Sequence, residues 1–351
     1  MPLATVLQRY QSRFEQRYTK LITPPMRNAM AAVMACRTQR YGEMRLRCTQ
    51  CDAQASQFHS CGHRSCPRCQ HYDTSQWLER QSQKLLPVEY FMLTFTLPQA
   101  LRALAWHHQQ DVYTMLFDCA ISTLKSFGLN DPKLGADLGM TGVLHTHSRR
   151  LDFHPHVHIV TPGGCLHKQR RQWKKLRGKY LFNAFNLAKV FRARMLEAMV
   201  RAGFSLPSRL PQQWVVHCKH VGKGLPALQY LSRYLYRGVI SEDNIVRDDG
   251  TFVTFRYLDS ETKTYKTLKL PGEQFLWKVF MHVLPKGFRR ARDFGFLHGN
   301  AKPARQLIQL LLRVCVPIPT PASKSRPAFK CPCCQAPMRI VAFIAAAWRS
   351  G

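Results

Sequence analysis

The residues 151–160 read Leu-Asp-Phe-His-Pro-His-Val-His-Ile-Val. Apolar and polar positions alternate. On a strand, Leu151, Phe153, Val157 and Ile159 face one way, and Asp152, His154, His156 and His158 face the other. Same-face neighbours stand about 7 Å apart, close enough for two imidazoles to reach one ion. His145 lies on the preceding strand candidate. A hairpin through Ser148-Arg149-Arg150 folds it back against His156 as a third ligand, with His147 competing from the same face. The alternatives are histidines that only pack, or a face that meets DNA phosphates without a metal. Pro155 predicts an edge strand or a bulge.

A second cluster of reactive residues is sulfur. Cys48-x-x-Cys51 and Cys66-x-x-Cys69 are separated by fourteen residues. Each turn directs two thiolates at one point, and two such turns complete a tetrahedron for a structural zinc at Cys48, Cys51, Cys66 and Cys69. His59, Cys61 and His63 lie between the pairs. They are able to swap into that set or to hold a second ion, and they are read here as loop residues. Cys331, Cys333 and Cys334 form half a site whose other ligands come from elsewhere in the chain or from a second subunit. Buried, reduced thiols are the alternative to metal, and a thioredoxin-type redox pair fits poorly because there are two pairs and no surrounding βαβ pattern.

The third constellation is a helix, 225–238, Leu-Pro-Ala-Leu-Gln-Tyr-Leu-Ser-Arg-Tyr-Leu-Tyr-Arg-Gly. Pro226 suits its first turn and Gly238 its stop. Leu228, Leu231 and Leu235 make the core stripe. Tyr230 and Tyr234, four apart, share one flank, and Arg237 continues that row. Such tyrosines often only mark the boundary of an amphipathic helix. A phenol is a poor nucleophile unless its target is polarised, and a metal ion on a phosphodiester does that.

These side chains need a scaffold. Residues 1–40 read as helical, 74–86 as a short polar helix, 90–97 as a strand ending at Pro98, and 99–127 as helical. Residues 141–147 and 151–160 read as paired strands, 183–203 as a helix, 214–219 as a strand, 251–270 as a β-meander and 302–314 as a helix. Strands interleaved with helices without βαβ regularity predict an α+β core flanked by metal-stapled ends. The expected organisation is an N-terminal helical and zinc-binding domain over 1–85, a catalytic domain over 86–315, a Pro/Ser/Lys-rich linker over 316–328, and a C-terminal cysteine module over 329–351.

The 351 residues include 52 Lys+Arg against 20 Asp+Glu, a formal net charge of +32. A field of that size calls for a polyanion, with nucleic acid first and an anionic membrane surface second. Acidic small substrates do not need it. No apolar run reaches the roughly 18–20 residues of a membrane span, and Arg9, Arg13 and Glu15 occupy the place of a signal peptide's apolar core. A cytoplasmic, nucleoid-associated protein is expected, and in that compartment thirteen cysteines point to metal rather than disulfides.

Taken together the motifs resemble a known family. His156-Val157-His158 resembles the His-hydrophobic-His motif of the HUH endonuclease superfamily, and Tyr230-x-x-x-Tyr234 the paired tyrosines of its rolling-circle transposases. Nearly the whole chain resembles the insertion-sequence ninety-one family, related to the insertion-sequence common-region (ISCR) elements. Cys36-Arg37-Thr38, the CxxC pairs and Ser65-Cys66-Pro67-Arg68-Cys69 resemble that family's zinc-binding domain. Phe95-Thr96-Leu97-Pro98, His154 to His158, Tyr230 to Tyr234 and His282 to Phe288 resemble its catalytic domain. The resemblance implies a ferredoxin-like α+β HUH core with the histidines on a central strand, which agrees with Pro155 only if that residue sits in a bulge. It implies that His156 and His158 hold one divalent ion, Mg²⁺ or Mn²⁺, with His145 at the separation expected of a third ligand. Tyr230 or Tyr234 then attacks single-stranded DNA at the element's end, leaving a 5′-phosphotyrosine and a free 3′-OH without ATP, in accord with the lack of a GxxxxGK[ST] loop. Tyr234, nearer the Arg237 row, is expected to act first, and Arg233 and Arg237 to contact the DNA. The competing readings are a relaxase or plasmid replication initiator with the same chemistry, a non-catalytic zinc-ribbon regulator, and a three-histidine zinc hydrolase for which Asp152 is the sole nearby general base.

Overall fold

The computed structural model describes residues 1–69, 71–235, 239–259, 261–314 and 329–346, with the backbone alone at 71, 72 and 233–235. The expected linker at 316–328 and the tyrosine-helix end at 236–238 lie outside the described residues. The chain divides into two compact units, one of Met1–Tyr72, Arg237–Val283 and Pro317–Gly351, the other of Asp73–Tyr236 and Leu284–Val316. The chain is a mixture of helices and antiparallel sheets. No helix among the described residues is long and apolar enough to cross a membrane.

The unit that carries the histidines is built on a five-stranded antiparallel sheet. Its spatial order is Ala291–Phe294, Met140–His147, Phe153–Pro162, Tyr90–Thr96, Val216–His220. One face packs Phe91, Leu93, Phe95, Leu144, Val157 and Ile159 against the helices Gln109–Asn130 and Ala184–Arg201 in the main core. The other face presents Tyr90, Val143 and Val160 to Ala227, Leu228 and Leu231 of the helix Leu225–Leu235 and to Trp77. The period-two alternation thus serves two cores, one on each side of the sheet.

Phe153–Pro162 is the middle strand of the five, so Pro155 marks no edge. The edge-strand expectation is replaced by the bulge expectation. The register with Met140–His147 shifts between His145 and His147, where the pairing passes from His145↔His156 to His147↔Phe153. The Pro155 carbonyl accepts from the Leu97 amide (3.1 Å). The basic turn before this strand is tied by Ser148, whose Oγ accepts from the amides of Arg150 (3.2 Å) and Asp152 (3.1 Å). A hairpin absent from the sequence reading, Gly164–His167 with Gln172–Lys175, follows the strand.

The other unit corrects the expected consecutive domains. Residues 237–283 do not continue the catalytic segment but join residues 1–72. The reason is packing that local periodicity does not reveal. The helix Leu3–Tyr18 lies on the helix Gly272–Phe280, with Tyr18 stacked on Trp277 (centroids 4.7 Å apart, 10° between planes). Tyr10 Oη donates to Asp248 Oδ1 at 2.6 Å. A Cβ at Gly272 would lie 2.3 Å from the Tyr10 ring, so glycine is what lets the two helices approach. The meander itself runs Ile245–Asp248, Phe252–Leu258 and Tyr265–Pro271. A separate four-stranded sheet in this unit has the order Phe329–Lys330, Pro337–Ile344, Glu43–Cys48, Gln54–Phe58. The described part of the expected cysteine module, residues 329–346, therefore pairs into this sheet with the N-terminal strand Glu43–Cys48.

Candidate metal and nucleophile site

His145, His156 and His158 offer ring nitrogens that all lie within 4.8 Å of one another. Neighbouring ring centroids are 5.1 Å apart for His145 and His156, 4.4 Å for His145 and His158, and 4.9 Å for His156 and His158. His145 and His156 are cross-strand partners, and His158 is two residues further along the same face. His145 and His158 are buried, and His156 is half-buried. Burial is the main cause that drives all three imidazoles below their ordinary pKa, followed for His145 and His158 by the neighbouring histidines. His156 falls to about 4. The three rings are therefore neutral near pH 7, the form that lends a lone pair to a metal.

Supporting hydrogen bonds choose which nitrogen faces the centre. His156 Nδ1–H donates to the His154 carbonyl at 2.7 Å, which leaves Nε2 as its lone-pair nitrogen. His158 Nδ1 meets Thr94 Oγ1 at 2.8 Å across the strand pair. Thr94 is a supporting residue that the sequence reading missed. Only the register Thr94↔His158 reveals it.

His154 shares the face but leaves the set. Its Nδ1 accepts from the Arg102 guanidinium. His147 falls outside it too, beyond the register shift. No carboxylate belongs to the cluster among the described residues. Asp152, the base that a hydrolase would need, accepts from Ser148 Oγ at 3.1 Å in the turn. Three neutral nitrogens suit a divalent ion with positions left open for phosphate oxygens.

Tyr230 stands against this cluster. Its ring lies 5.7 Å from the His158 ring at 87° and 6.4 Å from the His145 ring. The helix is held there by Ala227, Leu228 and Leu231. Arg233 and Tyr234 lie on the same helix with their backbones alone described, Tyr234 one turn beyond Tyr230, and Arg237 lies outside the described residues.

The cysteines do not gather as expected. Cys48, Cys51, Cys66 and Cys69 are divided between two groups: Cys36, Cys61, Cys66 and Cys69 form one, and Cys48, Cys51, Cys331 and Cys334 the other. A CxxC turn joins two sulfurs locally but does not choose the second pair. Cys36 Sγ and Cys61 Sγ each lie 3.4 Å from Cys69 Sγ. In the first group, hydrogen bonds from Cys61 and Cys66 hold Cys36 far below an ordinary thiol, while Cys66 is pushed up. Four sulfurs gathered within 4.8 Å of one another are a set that a cation would complete. Cys61 belongs to this group rather than to a passive loop, and its short spacing to Cys66 was the available signal.

A basic surface completes the histidine unit. Lys168, Arg170, Arg171, Lys174, Lys175, Arg177 and Lys179 fall on and just after the hairpin Gly164–Lys175, with no acidic residue among 164–179. Tyr180 and Phe185 are exposed beside them in sequence. Cations interleaved with exposed aromatics suit a single strand, with charge for the backbone and flat rings for the bases.

Comparison with known proteins bears on the same residues. A family model described as "Putative transposase" matches residues 139–305, and one described as "Transposase zinc-binding domain" matches residues 6–97. The chain is 33% identical over 344 residues to "Putative transposase y4qJ" of Sinorhizobium fredii, covering 91% of this chain and 86% of that one. It is 30% identical over 295 residues to the transposase for insertion sequence element IS801 of Pseudomonas savastanoi pv. phaseolicola, covering 75% and 70%. Among solved structures, the conjugative relaxase TrwC in its metal-bound complex with oriT DNA overlaps at a TM-score of 0.31 and 17% identity, covering 44% of this chain and 68% of that one. The chain belongs to the insertion-sequence ninety-one family of transposases.

Proposed function

We propose that this protein is a rolling-circle transposase with an HUH-type core, which cuts and rejoins single-stranded or hairpin DNA at the ends of a mobile element, in the cytoplasm, through a 5′-phosphotyrosine. The observation that carries the proposal is the Tyr230 ring set against the His145, His156 and His158 cluster. Tyr230 is taken as the first nucleophile, in place of the expected Tyr234, because its ring meets the rings of His145 and His158. Tyr234, one turn along the same helix, is assigned to a second strand.

The step conserves phosphodiester energy. The Tyr230 oxygen bonds to phosphorus as the bond from phosphorus to the 3′-oxygen breaks. The phenol proton passes to solvent, and the departing oxygen takes one up as a free 3′-OH. Attack by a 3′-OH on the phosphotyrosine reverses the step and rejoins the DNA, so no ATP is needed. His145, His156 and His158 would hold one divalent ion, Mg²⁺ or Mn²⁺, which when bound would polarise the phosphate and stabilise its developing charge. His156 and His158 offer Nε2 to the centre they share with His145, Thr94 and the His154 carbonyl orient their rings, and the helix positions the phenol. Arg233, Arg237 and the basic hairpin bind the DNA backbone.

A relaxase or replication initiator would use the same chemistry, but membership of a transposase family favours the first reading. A zinc-ribbon regulator leaves the buried histidines and the facing tyrosine without a role. Incubation with single-stranded oligonucleotides from the element's ends, followed by denaturing electrophoresis, tests the proposal. A covalent adduct that needs a divalent ion is expected, and its absence with every end sequence would overturn it.

A further inference from the structure

The segment matched as a zinc-binding domain, residues 6–97, contains the whole of one four-thiol group, Cys36, Cys61, Cys66 and Cys69, but only half of the other. We propose that Cys48, Cys51, Cys331 and Cys334 bind a second zinc ion within one chain, joining the N-terminal zinc module to residues some 280 positions later.

The geometry is that of a closed metal site. Cys48 Sγ lies 3.5 Å from Cys334 Sγ, and Cys51 Sγ lies 3.5 Å from both Cys331 Sγ and Cys334 Sγ. Four sulfurs about 2.3 Å from a common zinc stand about 3.8 Å apart, whereas a disulfide requires about 2.05 Å. Both turns have the same local construction. The amides of Gln50 and Cys51 point at Cys48 Sγ (3.3 and 3.5 Å), and the Cys333 amide points at Cys331 Sγ (3.4 Å). Amide donors aimed at sulfur favour the thiolates that zinc selects.

The backbone brings the two turns together independently of any ion. Glu43–Cys48 pairs antiparallel with Pro337–Ile344, with Cys48 opposite Met338. Thr49 Oγ1 donates to the Pro337 carbonyl at 2.9 Å. The buried cluster beneath is small, Leu46, Cys48, Cys331, Ala336 and Met338. So small a core needs a staple, which a four-thiolate zinc provides. A chain that stops before Cys331 would therefore lack both a strand and an ion of its N-terminal module.

Zinc is to be counted in the full chain carrying His156→Ala, so that the histidine cluster adds none. Two ions per chain are expected, falling to one in Cys331→Ser/Cys334→Ser and to one in Cys61→Ser/Cys69→Ser, while Cys333→Ser keeps two. A starting protein with one ion, or a Cys331→Ser/Cys334→Ser chain with two, overturns the site. Co-expressing a Cys48→Ser/Cys51→Ser chain with the Cys331→Ser/Cys334→Ser chain should leave each with one ion, and recovery of the second would show a site shared between copies instead. If the double variant fails to fold, alkylation of the intact protein decides. Cys333 and Cys334 are both exposed, so faster reaction of Cys333, equalised by a zinc chelator, is expected, and equal reaction without chelator overturns the site.

Discussion

The rings of His158 and Tyr230 meet edge to face, 5.7 Å between centroids and 87° between planes. His158 is fixed on the middle strand of a sheet and Tyr230 on a helix packed across that strand through Leu228 and Leu231. On the proposed reading, a phosphate would bind between this phenol and the imidazole cluster. The relationship also separates the roles of the groups, so each can be removed singly.

Tyr230→Phe deletes one hydroxyl from a half-buried ring and leaves its packing intact. Cleavage should fall by about four to six orders of magnitude, the range for loss of a nucleophile. An oligonucleotide labelled on the 3′ side of the cut would transfer its label to the wild-type protein and not to the variant. If the variant still forms an adduct and Tyr234→Phe does not, the order of the two tyrosines is reversed.

Thr94→Val keeps the shape of the strand but removes the hydroxyl beside His158 Nδ1. Mn²⁺ affinity, read by calorimetry or paramagnetic titration, should drop by about 10–100-fold, as for other supporting groups of metal ligands. His156→Ala should abolish cleavage and leave DNA binding within about twofold by the same argument, since the apolar face formed by Val157 and Ile159 is untouched. Unchanged Mn²⁺ affinity in Thr94→Val would remove the threonine from the site.

The histidines also set a pH window. A protonated imidazole has no lone pair, so metal binding weakens as pH falls through the pKa of the first ligand to take a proton. An exposed histidine would do so near pH 6.5. Here burial depresses all three, with His156 at about 4. Mn²⁺ affinity should be level from pH 8 to about 5 and decline as pH nears 4. A midpoint near 6.5 would mean that the cluster is solvated.

DNA binding should weaken by orders of magnitude between about 50 and 200 mM salt, because cations such as Arg170, Arg171, Lys174 and Lys175 displace counterions from phosphates. Charge reversal of Arg170 and Arg171 to Glu should shift the curve to lower salt and reduce its slope. A competition series should rank single strands or hairpins above plain duplex. A flat salt response would mean that the +32 charge is not used on DNA.

Much of this protein was legible in its residues because the signals are local. The alternation of 151–160 marked a strand with one histidine face, and the four-residue spacing of Tyr230 and Tyr234 marked one flank of a helix. The hairpin through 148–150 brought His145 to His156 by a short local connection. Each CxxC turn announced two sulfurs for one ion. Tertiary structure decided what local pattern leaves free. His154 has the same face and spacing as its neighbours, yet Arg102, from another element, takes its ring. Pro155 sits mid-sheet because a register shift absorbs it. Cys48 and Cys51 meet Cys331 and Cys334 instead of the nearer Cys66 and Cys69, because the strand Glu43–Cys48 pairs with Pro337–Ile344. Residues 237–283 join the N-terminal helix because Gly272 leaves room for Tyr10. A periodic pattern states which way a side chain points, whereas the partner it meets is chosen by pairings and packing between distant segments, which sequence spacing does not encode.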